Sequence, residues 1–102
     1  MDKKEIIHRI KWSIVNEFRY RFKVYPYVMG HSISVKDLKA NFKLISSEKE
    51  IKKYKFSDLF KIALFELSQE RIIIFLGTHS ILMSDYGYEQ YIEPDKMYER
   101  KT

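Results

Sequence analysis

The residues best suited to chemistry in this sequence are its lysines, which are unevenly distributed along the chain. Residues 1–61 contain 15 basic and 7 acidic side chains, whereas residues 62–102 contain 4 basic and 7 acidic ones. The densest run is KEIKKYK at Lys49–Lys55, preceded by Lys36, Lys39 and Lys43. Clustered positive charge of this kind binds polyanions such as the phosphate backbone of a nucleic acid. The alternative is a solvated, lysine-rich surface that contributes only solubility.

The other residue types that carry chemistry form no catalytic or metal-binding pattern. His8, His31 and His79 are far apart in the sequence, and no pair has a ligand spacing such as i, i+4. The chain has no cysteine and three glycines, which leaves no thiolate ligand and little material for a glycine-rich phosphate loop. We therefore expect no metal, no cofactor and no enzymatic activity. His79 is either a plain surface histidine or a group whose protonation tunes a phosphate contact.

Length and composition indicate a single domain over residues 1–102. The 45% hydrophobic and 16% aromatic residues supply enough material for a core. The absence of cysteine favours an intracellular location, and we expect a cytoplasmic protein. The longest apolar run, Ile72–Leu76, is far shorter than the roughly 20 residues that cross a bilayer, so we expect no membrane partner.

The first part of the chain is predicted to form two helices joined by a connection that contains Pro26 and Gly30. The first helix runs from Lys3 to about Lys23. Its apolar residues recur at helical spacing at Ile6, Ile7, Ile10, Ile14, Val15, Phe18 and Phe22. The second helix follows Ser34, a suitable N-cap, with Asp37 in its first turn. The buried side of the second helix is predicted to consist of Val35, Leu38, Phe42 and Ile45.

A third helix and a β-hairpin are predicted to follow. Residues 46–56 fit a polar connection or a continuation of the second helix, and an earlier start of the third helix also stays open. Ser57 is the predicted N-cap of the third helix, which extends through about Glu70. Its apolar face is Leu59, Phe60, Ala63, Leu64 and Leu67. RIIIF and ILMSDYGY then indicate two strands joined by a turn at Gly77, and residues 93–102 form a charged tail that we expect to fray.

The predicted fold class is α+β and mostly α, and this order of elements resembles the winged helix-turn-helix family of small DNA-binding domains. HSISVKDLKANFKLI is similar to the family's short first strand and second helix, and FSDLFKIALFELSQERIII is similar to its third helix entering the first strand of the wing. ILMSDYGYEQY resembles the returning strand of the wing, with Gly87 as its late glycine. The resemblance covers about Lys3 to Tyr91 and rests on element order and apolar spacing.

The resemblance implies binding to double-stranded DNA, with the third helix in the major groove and the second helix against the phosphate backbone. The positions facing the groove would be Ser57, Asp58, Lys61, Ile62 and Phe65. This set contains few of the Arg, Asn or Gln side chains that read base edges, and the wing tip has no Lys or Arg. The expected DNA-binding residues are Lys36, Lys39, Lys43, Lys52, Lys53, Lys55, Ser57, Lys61 and His79.

The expected function is transcriptional regulation by a homodimer bound to duplex DNA. A first helix of about 20 residues exceeds what one small domain covers, so part of its stripe, including Trp12 or Phe22, is expected to be buried by a second copy. The alternative function is a winged-helix module that binds another protein and no nucleic acid. The acidic and apolar surface of the third helix and the uncharged wing favour that alternative.

The aromatic residues fall into three groups. Those on apolar stripes are expected in the core, namely Phe18, Phe22, Phe42, Phe60 and Phe75. Those among basic residues are candidates for phosphate or base contact, namely Tyr20, Tyr25, Tyr27 and Tyr54. Tyr86, Tyr88 and Tyr91 are expected to pack against the first helix or a partner subunit.

Overall fold

The structure is a computed structural model that describes residues 2–24, 32–41 and 55–95. In these residues the fold is α+β and mostly helical, as predicted. The elements are α1 (Lys3–Val24), β1 (Ser32–Ser34), α2 (Val35–Asn41), α3 (Phe56–Gln69), β2 (Ile73–Leu76), β3 (Ser80–Met83) and α4 (Asp85–Gly87), which continues in a π-helical turn (Tyr88–Ile92). None of the helices in the described ranges combines the length and apolar character needed to span a bilayer. The predictions for Phe42, Ile45 and residues 46–54 lie outside the described residues.

Helix α1 packs most of its apolar stripe against the rest of the chain. The buried residues are the predicted ones, Ile6, Ile7, Ile10, Ile14, Val15, Phe18 and Phe22. Of the two residues expected to be left for a second copy, Trp12 is 41% exposed and Phe22 is buried within its own chain. Phe22 is only 6% exposed and lies edge-to-face with Tyr88, with 5.2 Å between ring centroids. The C-terminal segment of the same chain therefore covers the end of α1.

Helix α3 supplies the opposite side of the core and leads directly into the sheet. Its predicted apolar face is buried, namely Leu59, Phe60, Ala63, Leu64 and Leu67. The helix ends in a Schellman motif, because the N–H of Ile72 donates to the carbonyl of Leu67 at 2.9 Å and that of Arg71 to Ser68 at 3.0 Å. Arg71 takes the left-handed conformation of this motif, with φ at 65°, a position that usually holds glycine.

The sheet is antiparallel, with β3 between β1 and β2. Ile33 faces Ile81 across one pair, and Ile73 faces Met83 across the other. Strand alternation places these four residues on the core face, where all are buried. Gly77 lies in the turn of the predicted hairpin with φ at 66°.

Phe75 differs from its predicted place in the core. It faces Ile81 in the register of the sheet, yet it is 42% exposed. The reason is the position of β2 at the edge of the sheet, where the core covers Ile73 and none of the three residues after it.

The segment ILMSDYGY is not one extended run, contrary to the prediction, because β3 ends at Met83 and Ser84 begins a helix. The Ser84 side chain accepts a hydrogen bond from the N–H of Gly87 at 3.0 Å, which makes Ser84 the N-cap of α4. Its hydroxyl donates to the carbonyl of Arg71, and its N–H donates to the carbonyl of Ile72 at 2.9 Å. These bonds attach α4 to the end of α3.

Gly87 lies in α4 and not in the returning strand in which the resemblance placed it. A Cβ atom added at Gly87 would lie 2.4 Å from the carbonyl oxygen of Ile72. Glycine is required here because two backbone segments approach closely, while its own φ of −61° is an ordinary helical value.

The C-terminal segment packs its aromatic residues onto α1. Tyr91 lies edge-to-face with Trp12 at 5.7 Å between ring centroids, and Tyr88 contacts Phe22 in the same way. Both contacts confirm the predicted packing against the first helix, whereas Tyr86 is 50% exposed.

Residues 93–95, which we expected to begin a frayed tail, are helical. The guanidinium of Arg19 donates two hydrogen bonds to the carboxylate of Asp95, at 2.8 and 2.9 Å. The bidentate hydrogen bond raises the pKa of Arg19, with burial acting in the opposite direction, so Arg19 stays charged at physiological pH. Residues 96–102 of the predicted tail lie outside the described residues.

Candidate nucleic-acid interface

Helix α2 is joined to the start of α3 and to the turn of the hairpin by two hydrogen bonds. Lys39 Nζ donates to Ser57 Oγ at 2.6 Å, which connects α2 to the first turn of α3. The N–H of Val35 donates to the carbonyl oxygen of His79 at 2.8 Å, which connects the first residue of α2 to the hairpin turn. The first amides of a helix have no partner within it, so this second bond satisfies one of them. Three of the predicted site residues, Lys39, Ser57 and His79, therefore meet around one short helix.

The two helix starts that were predicted from serines have different outcomes. Ser34 caps α2, since its Oγ accepts a hydrogen bond from the N–H of Asp37 at 3.4 Å. Ser57 does not cap α3, because that helix begins at Phe56 with Lys55 in the N-cap position and no side-chain hydrogen bond there. The Ser57 hydroxyl accepts a hydrogen bond from Lys39 instead, so it connects two helices and caps neither of them.

Three lysines around α2 and α3 are exposed, namely Lys36, Lys55 and Lys61. Within residues 2–24, 32–41 and 55–95, no carboxylate forms an ion pair with any of them. Two cations of α1 differ from these three, since Arg19 pairs with Asp95 and Lys11 pairs with Glu70. An unpaired ammonium group can bind a phosphate oxygen without first losing a carboxylate.

Three more lysines of the predicted site, Lys43, Lys52 and Lys53, lie outside the described residues. Whether they add to the positive charge of Lys36, Lys55 and Lys61 stays a prediction. The alternative of an earlier start of α3 that includes Lys55 is wrong, because Lys55 is the N-cap with an extended backbone and the helix begins at Phe56.

The outward surface of α3 is mixed in chemistry. Asp58 and Lys61 are exposed, Ile62 is half-buried, and Phe65 is 59% exposed. Ser57 is half-buried and already bonded to Lys39. This surface offers one cation and one aromatic ring, so it is better suited to contacts with phosphates or apolar groups than to reading base edges.

The turn of the hairpin adds one titratable side chain and no permanent cation. Gly77, Thr78 and His79 are exposed, and the sequence has no Lys, Arg, Asp or Glu between Ile72 and Ser84. The backbone bond to Val35 holds His79 beside the first turn of α2. The turn therefore brings no permanent positive charge to the first turn of α2.

The remaining candidates that the structure describes, His8 and Tyr20, lie on α1 and not in this site. His8 is exposed on α1, edge-to-face with Trp12 at 6.1 Å between ring centroids, and Tyr20 is 64% exposed on the same helix. His31, Tyr25, Tyr27 and Tyr54 lie outside the described residues. In the part of the chain that the structure describes, no group of three or more His, Cys, Asp or Glu residues could hold a metal ion.

Sequence reasoning missed an apolar surface on β2. Ile74, Phe75 and Leu76 are 47%, 42% and 45% exposed. A signal for it was present in the sequence, because residues 72–84 lack Lys, Arg, Asp and Glu in a chain that is 32% charged. A strand without any charge on either face cannot present an ordinary solvated side.

Comparison with known proteins gave no relative, since no family model, no curated protein and no solved structure matches this chain. Its function is therefore inferred from the placement of its own residues.

Proposed function

We propose that this chain is a small winged-helix protein that binds double-stranded DNA through α2, α3 and the lysines around them. The observation that carries the proposal is the element order α1, β1, α2, α3, β2, β3 together with the strand order β1-β3-β2. A helix pair beside a β-hairpin is the arrangement of the family that the sequence resembles. The bonds from Lys39 to Ser57 and from Val35 to His79 give α2 contact with both the third helix and the hairpin.

The charges around α2 and α3 favour contacts with the DNA backbone over contacts with base edges. Lys36, Lys55 and Lys61 are exposed, and no described carboxylate neutralises them. Asp58 and Phe65 occupy positions that would face a groove, and neither side chain donates a hydrogen bond to a base. We therefore expect affinity that depends strongly on salt and weakly on DNA sequence.

Fluorescence anisotropy with a labelled duplex tests the proposal. The site variant carries Lys36→Glu with Lys61→Glu, and the control variant carries Lys3→Glu with Lys4→Glu, which changes the net charge by the same amount on exposed residues of α1. At about 50 mM salt we expect at least a tenfold weaker affinity for the site variant, and a log–log salt slope reduced by about 2, because each lost phosphate contact removes nearly one unit. Equal losses in both variants would show that only total charge matters and would contradict the site.

The biological role that we propose for this binding is transcriptional regulation by a homodimer. Two copies present two α3 helices to one duplex, so binding to a palindromic site would be cooperative in protein concentration. Competition between a palindromic duplex and a scrambled duplex of equal length measures that preference.

A second candidate function is binding to another protein without any nucleic acid. Phe65 favours it, because a phenylalanine that is 59% exposed on the outward side of α3 suits an apolar contact. No binding to a duplex or to a single strand at about 50 mM salt, where phosphate contacts are strong, would select this candidate.

A further inference from the structure

Strand β2 forms an open edge of the sheet. Its inner side pairs with β3 in continuous register, from Ile73 opposite Met83 to Leu76 opposite Ser80. No strand within the described ranges pairs with its outer side. Half of the backbone N–H and C=O groups of an edge strand point away from its neighbour, and such an edge is a template for another strand.

Apart from its length of four residues, β2 carries none of the usual protections of an edge strand. Natural edges carry lysine, proline or a bulge that prevents pairing with another chain. Residues 72–84 contain no proline and no charged residue apart from the titratable His79, and the register with β3 has no bulge. Ile74, Phe75 and Leu76 are 47%, 42% and 45% exposed. The edge is therefore both apolar and unprotected.

We propose that β2 pairs with β2 of a second copy of this chain, antiparallel about a two-fold axis, so that two three-stranded sheets become one six-stranded sheet. Charge selects this partner. The chain carries a net charge of +5, so two copies repel each other over most approaches, whereas the hairpins meet without bringing permanent charges together. An acidic partner would be attracted to the lysines of α2 and α3 and not to an uncharged edge.

The two-fold axis also restricts the register of the new pair. When the axis is perpendicular to the sheet, residues facing each other must lie on the same face, which excludes pairing Ile73 with Leu76 of the other copy. The N–H of Ser84 donates to the carbonyl of Ile72, so alternation directs the backbone groups of Ile74 and Leu76 toward β3 and those of Ile73 and Phe75 toward the open edge. A pair centred on Phe75 joins the three exposed side chains, with Phe75 facing its own copy and Ile74 facing Leu76 of the other copy, whereas a pair centred on Ile74 places the buried Ile73 opposite Phe75.

This dimer is an alternative to the predicted one through α1, on which Trp12 is 41% exposed, and it stands independently of the proposed DNA binding. Light scattering on the full chain measures it. Because two four-residue edges make a small interface of the weak class, protein concentrations on the order of 100 μM are needed. We expect a mass about twice the 12.4 kDa of the chain. A mass of one chain at every concentration tested would overturn the proposal.

Single substitutions locate the contact. Ile74→Lys places a charge on the edge, and we expect it to give a monomer with an unchanged circular dichroism spectrum, since the side chain is half exposed. Phe65→Lys is the matched control on an equally exposed apolar residue of α3, and it should remain a dimer. Trp12→Lys tests α1 in the same way. Loss of the dimer in Trp12→Lys or Phe65→Lys, with retention in Ile74→Lys, would overturn the assignment.

A charge-pair rescue tests the register. Leu76→Glu alone should also be monomeric, because its two carboxylates approach one apolar edge. When Ile74→Lys is mixed with Leu76→Glu, the introduced lysine of one chain lies opposite the introduced glutamate of the other in the register centred on Phe75. We expect the mixture to regain a dimer containing one copy of each, separable by ion exchange, and a mixture that stays monomeric would contradict this register.

Discussion

Two Ser-Asp pairs, Ser57-Asp58 and Ser84-Asp85, look alike in the sequence and have different roles in the structure. Ser84 caps α4 through the N–H of Gly87 and also bonds to the end of α3. Ser57 lies inside the first turn of α3 and bonds to Lys39 of α2. Each hydroxyl joins two elements, but only that of Ser84 caps the start of a helix.

The difference arises from what precedes each serine. Phe56 packs against the core beside Phe60, with 6.0 Å between ring centroids, so α3 already begins at the residue before Ser57. Met83 ends β3, and the chain turns there, where the Ser84 hydroxyl reaches the carbonyls of Arg71 and Ile72. A cap motif therefore predicts a helix start only when the residue before it has no packing reason to be helical.

The largest expected effect in this comparison comes from Gly87, next to the Ser84 cap. In most helices Gly→Ala stabilises the protein by up to about 1 kcal/mol, which is the difference in helix propensity between glycine and alanine. At Gly87 the new Cβ would lie 2.4 Å from the carbonyl oxygen of Ile72. We expect Gly87→Ala to lower the free energy of unfolding by about 3 kcal/mol, since backbone cannot yield as a side chain does.

Thermal unfolding followed by circular dichroism measures this change. Gly77→Ala is the control, because an added Cβ meets nothing within 4 Å and only its φ of 66° is unfavourable. It should cost about 1 kcal/mol. A Gly87→Ala protein as stable as the wild type would mean that α4 does not approach the Ile72 carbonyl this closely.

The second largest effect is expected at Ser84, the cap itself. Ser84→Ala removes the acceptor for the N–H of Gly87 and the donor to the carbonyl of Arg71. The N–H of Gly87 is then left without this bond at a buried position and the carbonyl of Arg71 at a partly buried one, and we expect a loss of about 2 kcal/mol. Urea denaturation measures it, and Ser84→Thr, which keeps the hydroxyl, should recover most of the loss.

The sequence was sufficient to predict the parts of the fold that depend on local periodicity. The apolar stripe of α1 and the face of α3 are buried as the spacing predicts, and Gly77 marks the turn of the hairpin. Periodicity predicts these because a helix or strand exposes one face whatever its neighbours are.

The predictions that were wrong concern features that depend on contacts between residues distant in the sequence. Glycine is needed at position 87 because the Ile72 carbonyl lies close to it, and Ser57 accepts a hydrogen bond from Lys39. The residues adjacent in sequence to Gly87 and Ser57 do not indicate either contact. Phe75 is exposed because β2 is the edge strand, which depends on how the sheet is ordered. In the candidate site, the sequence identified the lysines of α2 and α3, and it could not show that α2 contacts both α3 and the hairpin.

The third largest expected effect is a gain in the free energy of unfolding from a substitution at Lys55, which precedes the first residue of α3. Lys55 occupies the N-cap with φ −71° and ψ 109° and forms no side-chain cap. We expect Lys55→Ser to supply that cap and to stabilise the chain by about 1 kcal/mol. Lys61→Ser, the same change inside the helix, should cost a few tenths of a kcal/mol through lower helix propensity. A Lys55→Ser protein no more stable than Lys61→Ser would place the start of α3 elsewhere.

The smallest effect is expected at Ser57, the serine that resembles a cap and is not one. Ser57→Ala removes the hydroxyl and breaks only its bond with Lys39. Because Lys39 is half-buried and its ammonium group can turn to water, we expect the free energy of unfolding to fall by about 0.5 kcal/mol. A double-mutant cycle with Lys39→Met separates that bond from any cap. If Ser57 contributes only through its bond with Lys39, Ser57→Ala costs no further stability in the Lys39→Met background. The coupling energy of the cycle then equals the full effect of Ser57→Ala in the wild type. A residual loss near 1 kcal/mol in the Lys39→Met background would instead be the cost of a cap, and would make Ser57 equivalent to Ser84.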